Sequence, residues 1–192
     1  MPISADEAAT DLRDIAQIEA RSRELKGYEK GSPYLLLWGT IWIIGYTAGG
    51  LGHFAGSNWW LWPLVDMLGI GGSVIIALRQ ARTGTRAEGN AHRNYGLRSV
   101  AGCIVAMCFT VATYTVLAPH FIKQFIAFPG LLLGTIYALI GVIWLPRYFV
   151  LGAIIFVLTL VGFFWVETWL SFWMAAVGGG GLILGGLWLR KA

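Results

Sequence analysis

Residues 34–54 carry no formal charge over 21 consecutive positions if His53 is neutral, directly after a segment dense in charge. A helix of about 20 apolar residues crosses the hydrocarbon core of a bilayer. Few soluble folds can accommodate such a run, and further apolar stretches follow it. Charge and proline spacing predicts spans over 34–54, 59–79, 99–118, 130–145, 147–165 and 168–189. The expected fold is all-α: a polytopic integral membrane protein with six transmembrane helices in three hairpins, preceded by an N-terminal cytoplasmic amphipathic helix. Only 12% of the chain is charged, about half the share usual in soluble domains.

Two regions follow: residues 1–33, a cytoplasmic amphipathic helix and linker, and residues 34–192, the transmembrane domain. Ser4 and Glu7 have the spacing of a capping box, so a helix is expected to start there. Leu12, Ile15, Ile18, Ser22 and Leu25 then keep a three-to-four spacing, giving one narrow apolar face. Asp6, Glu7, Asp11 and Asp14 crowd its first half, and Arg21, Arg23, Lys26 and Lys30 its second, the order that suits a helix dipole. Gly31, Ser32 and Pro33 are expected to break the helix before the membrane. Such a helix either rests on a membrane or on the protein's own cytoplasmic end, or docks a partner or a second copy.

Thirteen of the fourteen lysines and arginines fall in residues 1–33, the 79–98 connection, the 146–147 turn and the C-terminus. The exception is Lys123. The positive-inside bias then places both termini in the cytoplasm. The basic residues face anionic lipid headgroups, so the positive net charge calls for no nucleic acid. Compactness and short loops suggest a bacterial inner membrane. Residues 130–166 hold a single charge, Arg147, and Pro146 before it turns this stretch into a hairpin.

Trp60-Leu61 with Leu68–Gly72 resembles Trp169-Leu170 with Val177–Gly181 in spacing, a weak sign of repeated hairpins. Gly45 and Gly49, Gly130 and Gly134, and Gly181 and Gly185 each form Gly-x-x-x-Gly, which lets helix backbones approach closely. The tryptophans gather near the span ends, as interfacial belts do. Cys103 and Cys108, five residues apart on one span, point away from each other and read as packing residues.

An ionisable side chain at membrane depth is costly and marks a candidate site. Asp66 is the clear case, about 10 Å into the second span at 1.5 Å per residue. Lys123 and Glu167 are the other acidic or basic side chains expected on the outer side, with His53 and His120 at span ends and Tyr114 before His120. Asp66, His53, His120, Lys123, Glu167 and Tyr114 thus form a candidate outer-mouth layer for a small solute or protons. In the plainer reading Asp66 pairs with Lys123 and the histidines lie among headgroups. No catalytic constellation, phosphate-cradling loop or metal-ligand spacing is found. No cofactor is expected, because His53 and His120 lie too near the surface to hold a haem. The sequence points first to a small non-enzymatic membrane protein that acts by association, as a homo-oligomer or by docking a partner through its cytoplasmic face. The alternative is a small-solute or proton-coupled transporter or channel built around Asp66.

Overall fold

The computed structural model describes residues 5–55, 61–82 and 86–191, and every element in them is helical. The helices are α1 (Ala5–Ala55), α2 (Leu61–Arg82), α3 (Arg86–Leu117), α4 (Ile122–Ile143) and α5 (Pro146–Trp165). A 3-10 turn (Glu167–Trp169), α6 (Leu170–Met174), a π-helical stretch (Ala175–Gly180) and α7 (Gly181–Arg190) follow as one further rod. Among the described residues, five segments are long and apolar enough to cross a membrane: Asp11–Gly52, Leu61–Arg82, Ile122–Ile143, Pro146–Trp165 and Glu167–Arg190. A shorter apolar helix, Ala101–Leu117, lies inside α3.

The expected break at Gly31-Ser32-Pro33 does not occur; α1 runs through it as one helix of 51 residues. Proline inside a helix removes a hydrogen bond and costs about 3 kcal/mol. Neighbouring helices brace this turn. The Ser32 hydroxyl donates to the Gly186 carbonyl at 2.7 Å, and the Gln80 amide donates to the Lys30 carbonyl at 3.1 Å. Gly31 leaves room for the Tyr148 hydroxyl, and Leu35 is buried one turn on. Tertiary contacts therefore override the local breaker.

The 79–98 connection is also mostly helical. α2 extends to Arg82 and α3 begins at Arg86, residues 83–85 lying outside the described part. Arginine, alanine and glutamate favour helix, and Arg79 and Arg82 sit in the last turn of α2, where cations complement the dipole. The link expected over 119–129 likewise becomes helix from Ile122, its start turned by Gln124, whose side-chain oxygen accepts the Phe121 N–H at 3.3 Å. Pro129, expected at the start of a span, lies inside α4.

α1 organises the packing. Tyr28, Ser32, Leu35, Trp42 and Tyr46 form a buried stripe at helical spacing along it. The π-helical stretch and α7 lie against it, and the backbones meet where Gly39 faces Gly179: a Cβ on either would stand 2.8 Å from the other's carbonyl oxygen. On another side α1 meets α2. Trp38 covers Gly69 and donates its indole N–H to the Ser73 hydroxyl at 3.1 Å, and Tyr46 stands edge-on to Trp62 at 4.8 Å. α5 is the closest partner of α4, and α3 packs chiefly on α2, meeting α4 only at a few points. α1 also closes against the last rod.

Of the glycine pairs, Gly45 faces Val65 and Trp62, Gly130 faces Met174 and Thr159, Gly134 faces the Gly152 carbonyl, and Gly185 faces Leu151. Gly181 makes only ordinary contact with Ile155, and Gly49 has open space beside it. The aromatic residues divide. Trp144, Trp165 and Trp169 are exposed at span ends, whereas Trp42 is buried and Trp173 donates to the Leu158 carbonyl at 2.8 Å.

Candidate functional site

Polar side chains at membrane depth need partners within the protein, because lipid supplies none. One polar cluster gathers where α1, α2, α3 and the first half of α4 meet. Its origin is Pro129. With no N–H at that position, the Phe125 carbonyl four residues earlier loses its helical donor. The Tyr114 hydroxyl of α3 donates to that carbonyl at 2.8 Å. The next carbonyl, that of Ile126, accepts the Tyr46 hydroxyl of α1 at 3.1 Å. Tyr114 is also held by the rings of Phe125 and Phe128, at 4.7 and 5.4 Å.

Asp66 stands beside this pair. It is half-buried on α2, one position on from the buried Val65, and it and Tyr114 are both electrostatic neighbours of the Tyr46 hydroxyl. Both tyrosine protons are directed to α4 carbonyls. Asp66 has no hydrogen bond or ion pair among the described residues.

The expected Asp66–Lys123 pair is absent; Lys123 turns to Glu167 instead, at 3.8 Å, with its ammonium 5.2 Å from the Phe163 ring centre. Glu167 adopts a positive φ of 24°, where the chain turns from α5 into the last rod. His120 is exposed in the link before α4. His53 belongs to the last turns of α1, and its side chain lies outside the described part. The five candidates with described side chains therefore separate into a Lys123–Glu167 pair, a Tyr114 contact that repairs a proline defect with Asp66 beside it, and His120 at the surface. Among the described residues no three histidine, cysteine or acidic side chains come together as a metal set.

Two features escaped sequence reading. Tyr46 was visible only as a tyrosine two turns before His53. The other is an aromatic seat at the opposite end of the bundle. There the Arg147 guanidinium lies 5.3 Å from the Tyr28 ring centre and 5.4 Å from that of Trp188. These partners are far apart in sequence, so no local spacing signals them. The charge of Arg147, isolated among apolar residues, was the available hint.

No family model matches this chain, and neither a curated protein nor a solved structure matches it.

A different exposed feature lies at the start of α1. Leu12, Ile15 and Ile18 are 67%, 53% and 69% exposed, so the apolar face is bare. At 1.5 Å per residue, the part of α1 before residue 34 reaches about 40 Å beyond the apolar run.

Proposed function

We propose that this protein is a membrane-held docking subunit, acting through the N-terminal half of α1 on the cytoplasmic side of a bacterial inner membrane. In this reading the chain spans the bilayer six times, Ala101–Leu117 supplying the span beyond the five longer segments, and both termini are cytoplasmic. The positive-inside distribution of lysine and arginine supports that orientation. The observation that carries the proposal is the bare stripe of Leu12, Ile15 and Ile18 on a helix continuous with a membrane-crossing rod. A continuous rod cannot bend back to lay this stripe on its own bilayer.

The charge pattern favours a different protein over a second copy as occupant. Two copies oriented alike in one membrane would bring their N-terminal helices together in parallel. With Ile15, Ile18 and Leu25 at the seam, Asp14 of one helix would then oppose Glu19 of the other, and Arg21 would oppose Lys26. Like charges at such positions repel. The fitting occupant is an amphipathic helix running antiparallel, basic opposite Asp11 and Asp14 and acidic opposite Arg21 and Lys26.

The test is the mass of the full-length protein taken from its native membrane in nanodiscs, against the same particle carrying Ile15→Asp and Ile18→Asp. Both side chains are exposed, so the fold should hold within about 0.5 kcal/mol. A stoichiometric component lost in the variant is expected. Added mass in whole multiples of 21.0 kDa would assign the contact to a second copy, and an unchanged single chain in both preparations would defeat the reading.

A second reading draws on Asp66. A carboxyl group at membrane depth with no hydrogen bond or ion pair among the described residues is suited to proton or cation passage. In proteoliposomes, Asp66→Asn should then abolish proton or cation flux while leaving the melting temperature nearly unchanged. Equal flux from both proteins would remove this reading.

A further inference from the structure

Arg147 is seated by three helices at once. Tyr28 of α1 is buried at 1% exposure and stacks on Tyr148 of α5 at 6.1 Å. Its hydroxyl accepts the Arg147 backbone N–H at 3.2 Å and donates to Glu24 at 2.7 Å. Trp188 of α7 supplies the second ring near the guanidinium. The Glu24 carboxylate accepts the Tyr28 hydrogen bond and forms no ion pair with Arg147. Among the described residues no carboxylate lies within ion-pair distance of Arg147, and its guanidinium makes no hydrogen bond. Arginine has five N–H donors in a planar fork. The two rings hold the guanidinium carbon over their faces but give its N–H donors no oxygen acceptor, an arrangement that suits a bidentate anion. Arg190 and Lys191, two and three residues after Trp188, are exposed and add positive charge at the same end.

We infer that Arg147, Tyr28 and Trp188 form a binding site for a phosphate ester. In a chain that crosses a bilayer, the source at hand is the headgroup of an anionic phospholipid. The inference rests on the membrane-spanning reading and is independent of the docking role. The two rings hold the guanidinium in place, and the ring of Trp188, 44% exposed, gives the glycerol backbone a surface to lie on.

The test is native mass spectrometry of the full-length protein, titrated with phosphatidylglycerol, phosphatidylcholine or glycerol 3-phosphate. Wild type is expected to retain one phosphatidylglycerol in preference to phosphatidylcholine. Arg147→Gln should weaken that retention about tenfold or more, because it removes a charge-assisted hydrogen-bond pair. Trp188→Leu keeps every charge, so its weaker retention would separate a seated site from general attraction to basic residues. It also decides the matter if Arg147→Gln fails to fold. Arg147→Lys should restore only part of the affinity, since an ammonium lacks the fork. Saturable binding of glycerol 3-phosphate would support the site and assign it to soluble esters, whereas retention of the whole lipid alone supports a headgroup site. Equal retention of phosphatidylglycerol by wild type and Trp188→Leu, or no preference over phosphatidylcholine in wild type, would overturn the inference. Ile15→Asp should leave lipid retention unchanged, so failure of the docking reading would not imply failure here.

Discussion

Gly152→Leu is expected to separate α4 from α5 and to prevent recovery of a folded, monodisperse particle. An ideal Cβ on Gly152 would collide with the Ala138 nitrogen and stand 2.5 Å from the Gly134 oxygen and 2.9 Å from the Tyr137 carbonyl carbon. All three are backbone atoms, which cannot swing aside as the end of a side chain can. Between helices in lipid, attraction comes from close packing and not from exclusion of water. A leucine therefore forfeits the contact without a hydrophobic gain to replace it. Overpacking a tight core costs about 1–3 kcal/mol, occasionally more, and a clash of leucine with a facing backbone belongs at the upper end. Gly71→Leu is the control. Gly71 is exposed on α2 with no atom within 4 Å of an added Cβ. Leucine there should be neutral or stabilise by up to about 1 kcal/mol through helix propensity. Circular dichroism melts and size-exclusion profiles in one detergent compare the two. Wild-type melting of Gly152→Leu would mean that α4 and α5 do not approach this closely.

The same contact shows what the sequence can and cannot reveal. Apolar span content is a one-dimensional property, so the existence of the long helices could be read directly. Gly130, four residues earlier, marks Gly134 in the sequence, whereas Gly152 has no glycine four residues away. Its importance comes from α4 lying across it, which no local pattern encodes. The helix ends failed for a related reason. Local rules place Pro33 and Pro129 at helix boundaries. In the structure both lie inside helices, with carbonyls near each accepting hydrogen bonds from other helices: Gln80 near the first, Tyr46 and Tyr114 near the second. The pairing of Lys123 with Glu167, which leaves Asp66 without an ion pair among the described residues, depends on how the start of α4 meets the turn after α5.

Tyr114→Phe should destabilise the protein by about 1–3 kcal/mol, the range for leaving an acceptor unsatisfied where lipid supplies no other donor, and Pro129→Ala should cancel most of that loss. The tyrosine hydroxyl fills the place of an N–H that Pro129 lacks. Its ring contacts with Phe125 and Phe128 survive in phenylalanine, so the substitution removes the hydrogen bond alone. Alanine at position 129 restores a backbone N–H, which can reach the Phe125 carbonyl as the fourth residue along. In that background the hydroxyl is redundant, and Tyr114→Phe should cost only a few tenths of a kcal/mol. The coupling between the two positions, read from a double-mutant cycle of thermal or denaturant melts, is then about 1 kcal/mol or more. Additive effects would mean that Tyr114 stabilises α3 against α4 by ring packing and that Pro129 has no part in it. A cycle with Tyr46→Phe discriminates further. The Tyr46 hydroxyl is directed to the Ile126 carbonyl, whose own helical donor, the Gly130 N–H, is present in the sequence. Its loss should therefore couple to Pro129 more weakly than the loss of Tyr114 does.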